Sequence, residues 1–164
     1  MPRGRFREFD KDQAPDTAMR MFWHHGYEGA SIAALAAEIG VSVPSLYLAF
    51  GNKESLFMKA VDNYGRYSEH MYEKAFAQAS AREVAFGILL GEVDLVVGRG
   101  TPDGCLMVQG ALATSPDSKP VQQAMAKLRR DAESAVAARF ERALQEGDLP
   151  PAWDSKSLGS YVMT

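Results

Sequence analysis

Ser31, Ser42, Asn52 and Lys53 are the residues whose types and spacing suggest chemistry, and that chemistry is anion capture. Each of the first three is a short oxygen-bearing side chain just ahead of a helix-periodic apolar stretch. There it can accept an N–H of the first turn and cap the helix. A helix N-terminus presents unpaired N–H groups and the positive end of the helix dipole, a ready site for phosphate. Three such ends follow in close succession, and Lys53 sets a cation beside the third.

Other reactive groupings are sparse. The chain has no HExxH, no GxxxxGK loop, no Cys–His pair at a plausible spacing, and no carboxylates clustered beyond solvated helix faces. The reading is therefore not an enzyme, with no cofactor. His24 and His25 are adjacent, so on a helix they diverge by roughly 100° and suit helix-end or surface roles better than one shared metal. Cys105 opens an apolar segment after a glycine-rich loop. A thiol at a helix start can have a lowered pKa and act as a redox or electrophile sensor. It can equally be a small buried hydrophobe.

The elements that must position these groups are helical. Ala14, Ala18, Met21, Phe22 and His25 recur at helical spacing, which predicts a first helix over 11–25, with Pro15 in its first turn and Gly26 as its stop. Ser31 starts a second helix with Ile32, Leu35, Ala36 and Ile39 as its buried stripe. Gly40 supplies the positive φ of a sharp turn, and Val41 plugs it. Ser42 caps a third helix, with Pro44 in the first turn and Leu46 and Phe50 facing the core; Gly51 ends it and Asn52 caps the next. Beyond lie helical stretches from 53 to 64, 65 to 79 and 81 to 98, a loop GRGTPDG, a short buried helix over 105–113, and a long helix over 120–146. Leu149-Pro150-Pro151 bars its continuation, and Asp154 caps a last helix. No period-two pattern appears, so the expected fold class is all-α. Residues 1–10 read as a flexible basic arm carrying Arg3, Arg5 and Arg7, 11–64 as a three-helix head, and 65–164 as a helical body.

Bulk numbers bound the partners. A chain of 164 residues, 46% hydrophobic and 24% charged, with net charge −3, is an ordinary globular composition rather than a polybasic one. Residues 1–64 hold seven Lys/Arg against eight Asp/Glu, a net of −1, so contact with a polyanion must rest on local placement of cations. A single cysteine, no signal-like segment and no apolar run long enough for a bilayer fit a cytoplasmic protein with no membrane partner.

The second and third helices meet the demands of a helix-turn-helix: small Ala36 at the crossing, Gly40 and Val41 in the turn, and short Val43, Pro44 and Ser45 at the start of the helix that enters the major groove. At the string GYEGASIAALAAEIGVSVPSLYLAFGNKESLF the chain resembles the DNA-binding domain of the TetR family of bacterial transcriptional regulators, over about residues 14–64; beyond that only the architecture is similar. The resemblance implies a recognition helix over about 43–50, with base-facing Val43, Pro44, Ser45 and Tyr47 and Leu48 nearby. It implies phosphate-facing Ser31, Tyr47, Asn52 and Lys53, with Ser42 capping the recognition helix. Ala49 stands where the family commonly has histidine. Val43 and Pro44 suit thymine methyl groups, so an A·T-enriched half-site is expected, helped by shape and by the Arg3/Arg5/Arg7 arm.

By the same resemblance the body is a ligand-binding and dimerisation domain. Phe76, Phe86, Leu90, Met107, Gln109 and Met125 are the candidate lining of a pocket for a small apolar or aromatic effector. The 120–146 helix is expected to turn Val121, Met125, Leu128, Ala132 and Val136 inward and Ala135, Ala138, Arg139 and Arg142 outward, the outer strip serving a homodimer on double-stranded DNA with a palindromic operator. The last helix is short, and the native chain is expected to run past Thr164. A helical scaffold module without DNA binding and a thiol-sensing regulator acting through Cys105 are the alternatives.

Overall fold

The computed structural model describes residues 13–98 and 101–164. Arg3, Arg5 and Arg7 lie outside them. The described residues are helical and loop segments only, with no strand among them. Helix α1 (Ala14–Gly29) carries Pro15 in its first turn, but Gly26 breaks it, with φ 69° and ψ 171°. Helix α2 (Ile32–Ile39) ends at Gly40, whose φ of 82° and ψ of 30° are left-handed. After the turn comes α3 (Val43–Phe50), inclined at 93° to α2. That is the angle of a helix-turn-helix joined by a short glycine-bearing turn.

Helix α4 (Lys53–Phe76) runs unbroken through Gly65, where the sequence suggested a join between two helical stretches. At 1.5 Å per residue its 24 residues reach about 36 Å. Helix α5 (Ala81–Val97) starts in a capping box: Ser80 accepts the Glu83 N–H while the Glu83 carboxylate accepts the Ser80 N–H. The body is completed by a one-turn helix α6 (Leu106–Gln109), a 3₁₀ turn (Pro116–Ser118), the long α7 (Lys119–Gln145), and α8 (Ser155–Met163) capped by Asp154.

Two apolar clusters hold these helices. The larger joins α1 to α4 with Leu106, Ala111, Val121 and Met125, so head and body share one core. Its centre is aromatic. Phe22 meets Phe57 edge-on at 5.0 Å, Tyr27 meets Phe57 at 5.1 Å, and Trp23 meets Tyr64 at 4.8 Å, geometries that suit the ring quadrupoles. The smaller cluster packs Ala75, Val84, Ile88, Val136, Phe140 and Ala143 at the far end of α4.

The structure corrects three expectations, two in the body and one in the head. The 105–113 segment is a single helical turn, not a buried helix, and Val108 and Leu112 are exposed. The backbone here and just before it bonds outward: Tyr27 N–H donates to the Gly110 carbonyl at 2.7 Å, and Trp23 Nε1–H to the Gly104 carbonyl at 2.9 Å. Arg139 is not on an outer strip. It is buried at 5% exposure, with Nε donating to the Phe76 carbonyl at 3.0 Å and Nη2 to the Gln78 carbonyl at 2.7 Å. A cation there satisfies the carbonyls at the negative end of α4. Ile32 and Ile39 flank the α2 stripe half-buried, leaving Leu35 and Ala36 as its fully buried pair.

Candidate nucleic-acid interface and interior cavity

The three N-caps form as their sequence contexts require. Ser31 Oγ accepts Ala34 N–H at 3.1 Å, Ser42 Oγ accepts Ser45 N–H at 3.2 Å, and Asn52 Oδ1 accepts Ser55 N–H at 2.7 Å. Each side chain spends one acceptor site on its own helix. Each end offers an anion the remaining N–H groups of the first turn and the dipole, and the Ser31 hydroxyl and the Asn52 amide nitrogen keep their own O–H and N–H donors. Ser42 and Ser45 are also bonded to each other through their hydroxyls at 2.8 Å.

Helix α3 turns Leu46 and Phe50 into the core and leaves Pro44, Ser45, Tyr47 and Leu48 outside. Leu48 is 91% exposed, an apolar side chain wholly in solvent. Val43 and Ala49 are half-buried and pack on the core beneath, so Val43 is only partly available to a groove. Lys53 lies with its ammonium 4.5 Å from the centre of the Tyr27 ring, a cation–π contact. Partial burial lowers the Lys53 pKa, and the charge of Glu28 opposes that shift. Tyr27 is pushed up by burial, then by Glu54 and Glu28. Lys53 is thus held at the start of α4 by the ring, rather than swinging free.

A cavity of about 1160 Å³ opens among α4, α5, α6, α7 and α8. Its wall mixes apolar Leu89, Val93 and Met107 with polar Tyr64, Tyr72 and Glu92. The Tyr72 hydroxyl donates to Glu92 Oε1 at 2.8 Å, and the Tyr64 hydroxyl to Cys105 Sγ at 3.2 Å. Burial above all raises both tyrosine pKa values, reinforced by Cys105 at Tyr64 and by Glu92 at Tyr72. Both phenols stay protonated at neutral pH and act as hydrogen-bond donors. Arg129 closes one side, Nη1 donating to the Met107 carbonyl at 2.7 Å.

Of the six residues proposed as pocket lining, only Met107 is on this wall. Met125 is fully buried beneath the head, one turn from Val121 in the larger core. Phe76 packs in the smaller cluster beside Tyr72. Phe86 is 61% exposed, on the side of α5 away from the buried Val84 and Ile88. Leu90 lines a separate groove of about 450 Å³ between α4 and α5. Gln109 is a fastener: its Nε2 donates to the Trp23 and Asp103 carbonyls, each at 3.0 Å. Cys105 does border the cavity and is half-buried. The residues that sequence reasoning missed had a signal. Tyr64 and Tyr72 are two turns apart on one face of α4, and Glu92 is a carboxylate inside an apolar run that requires a donor.

Among the described residues no three His, Cys, Asp or Glu side chains gather as a metal site. No single described helix is long and apolar enough to cross a membrane.

A right-angled helix pair with its second helix exposed, built on the same core as a helical body with a large cavity, is the arrangement of a helix-turn-helix DNA-binding regulator. The comparisons agree. The family described as "Bacterial regulatory proteins, tetR family" matches residues 16–60. The HTH-type transcriptional repressor ComR of Escherichia coli (strain K12) is 31% identical over 162 residues, which cover 98% of this chain and 77% of that protein. Among solved structures, a cysteine mutant of the TetR family transcriptional regulator CifR, complexed with 26-bp double-strand operator DNA, superposes with a TM-score of 0.91 at 36% identity, covering 98% of this chain and 84% of that one. A TetR regulator from Rhodococcus sp. RHA1 is 38% identical with a TM-score of 0.54, covering 93% and 81% of the two chains. The chain belongs to the TetR family of transcriptional regulators.

Proposed function

We propose that the protein is a repressor that holds a palindromic operator as a homodimer and leaves it when a small, largely apolar molecule enters the cavity. The observation that carries this is α4. One unbroken helix has Asn52 and Lys53 at its exposed start and Tyr64 and Tyr72 on the cavity wall farther along. A ligand that favours one setting of this wall over another changes the orientation of the head, and so the spacing of two heads on DNA. The loop after α5 adds a second tie. Cys105 and Met107 face the cavity while Gly104, Gln109 and Gly110 are hydrogen-bonded to α1.

The wall suits a mainly apolar or aromatic effector with one hydrogen-bonding group placed to meet Tyr72, Glu92 or Tyr64. For pairing, the outer faces of α7 and α8 offer Ala135, Ala138, Arg142 and Tyr161, all exposed, with Tyr161 at 83%. The operator-bound structure of CifR supports DNA as partner of the head. A cytoplasmic setting follows from that partner.

Footprinting of the DNA upstream of the protein's own gene tests the reading, with binding measured against salt and particle mass measured in solution. The expected results are a protected two-fold sequence, an affinity that falls steeply with salt, and a dimer. A salt-independent interaction, or a monomer on a single half-site, would refute it.

The Tyr64–Cys105 contact on the cavity wall favours a second reading, in which the effector is electrophilic and reacts with the thiol. Cys105→Ser then stays on DNA in the presence of an electrophile that releases the wild type. Equal release of both would leave the non-covalent reading alone.

A further inference from the structure

We infer that Leu48, with Pro44 one turn before it, selects thymine in the operator through the 5-methyl group; this rests on the reading that α3 lies in the major groove. Three observations converge on it. First, α3 carries no charged side chain anywhere from Val43 to Phe50. The side chains that commonly read bases by paired hydrogen bonds (Arg, Lys, Asn, Gln) are absent from the helix.

Second, the small hydroxyls nearest the helix start are tied to each other: Ser42 Oγ accepts the Ser45 N–H and also shares a hydrogen bond with Ser45 Oγ at 2.8 Å, which leaves the pair a single O–H to give. Tyr47, 46% exposed, is the remaining polar side chain on the outer face. Its phenol, on a long arm, suits a phosphate.

Third, the apolar side chains fall into two sets. Val43 and Ala49 sit half-buried on the core, whereas Pro44 is exposed and Leu48 is 91% exposed. Residues 44 and 48 are four apart and therefore share one stripe along the outside of α3. The groove-facing apolar edge is thus Pro44–Leu48, not the Val43–Pro44 pair that the order of residues suggests.

Thymine is the one base that presents an apolar group, its 5-methyl, in the major groove, beside the O4 acceptor. An isobutyl side chain in full solvent gains by covering that methyl and gains nothing comparable at cytosine, adenine or guanine.

The test uses the full chain and a duplex it enriches from a random library. That duplex is prepared twice, once with thymine and once with deoxyuridine at every thymine position, a change that removes only methyl groups. The wild type is expected to bind the deoxyuridine duplex roughly three- to fivefold more weakly for each methyl contacted. Single replacements map those positions to one or two per half-site.

Leu48→Ala is expected to keep its fold, since its side chain is outside the core, and to lose the roughly three- to fivefold discrimination at each methyl that Leu48 covers, keeping only the part that Pro44 supplies. Equal wild-type affinity for the two duplexes overturns the inference and leaves DNA binding intact. Discrimination that persists undiminished in Leu48→Ala also overturns it, by placing the methyl effect in duplex shape rather than in this side chain. Failure to enrich any duplex overturns the underlying reading of α3 instead.

Discussion

Replacing Gly26 by alanine should destabilise the protein, and by more than the same change at Gly29 or Gly40. Gly26 has φ 69° and ψ 171°, a region that side chains with a Cβ scarcely enter. It breaks α1 so that Tyr27 N–H can turn to the Gly110 carbonyl, 2.7 Å away. A Cβ at Gly26 would lie 3.7 Å from the Gly110 oxygen and 3.8 Å from that of Gln109, ordinary contacts. Backbone strain alone therefore sets the penalty, at about 1–3 kcal/mol. For a chain of 164 residues that lowers Tm by roughly 2–4 °C per kcal/mol, so about 4–8 °C for a middle value.

Two companions calibrate the result. Gly40→Ala, at φ 82° and ψ 30° with nothing near the new methyl, should lose about 1–2 kcal/mol. Gly29→Ala, in the helical turn that ends α1, meets only His25 Cβ at 3.5 Å and should gain about 0.4–1 kcal/mol through a stiffer unfolded chain. Urea or thermal unfolding at one fixed protein concentration measures all three. Exchange of the Tyr27 amide should speed up in Gly26→Ala. A Gly26→Ala protein as stable as Gly29→Ala would refute the reasoning, because the break in α1 would then not depend on this backbone conformation.

Three further outcomes follow from particular contacts. Arg139→Ala strips the carbonyls of Phe76 and Gln78 of a buried cationic donor and should cost about 2–4 kcal/mol, read as a Tm fall of roughly 4–16 °C; a loss under ~1 kcal/mol would mean that water replaces the guanidinium. Lys53→Ala should make the plot of log affinity against log salt shallower by about 0.9 per head if the ammonium beside Tyr27 meets a phosphate, and an unchanged slope would remove it from the interface. Glu28 accepts the Ser115 N–H at 2.8 Å. Hydrogen bonds from Ser118, then Ser115, hold its carboxyl below the ordinary value of 4.5. The group binds fewer protons folded than unfolded, so its contribution is full above that ordinary value and is lost as pH falls through the lowered one. Wild type and Glu28→Gln should therefore differ in stability at neutral pH and converge in acid; a difference that grows on acidification would reverse the assignment.

Much of the head was legible before any coordinates, because its information is local. Ser31, Ser42 and Asn52 cap because each stands directly before a helix-forming run whose first-turn N–H groups need an acceptor. Gly26, Gly40 and Gly51 stop helices by backbone conformation, and Pro44 is tolerated only at a helix start. The body was legible in its helices and not in their faces. Helix α5 reads AREVAFGILLGEVDLVV, apolar on nearly every side, so nothing in its periodicity says that Val84 and Ile88 are core while Leu89 and Val93 face a cavity and Phe86 faces solvent. Arg139 looked like a surface cation because its position on α7 shows nothing of the C-terminus of α4, whose carbonyls arrive from more than sixty residues earlier.

By itself, then, the sequence determined an all-helical chain with a helix-turn-helix at its front. Caps, turn glycines and a 3.6-residue apolar stripe act over a few residues and need no distant partner. Only the tertiary structure decided that head and body share one core, that Leu48 rather than Val43 stands free on α3, and that Tyr64, Tyr72, Glu92 and Cys105 meet around one cavity. Those facts depend on which face of each helix its neighbours cover, and burial is a property of the packed assembly of helices, not of any one of them.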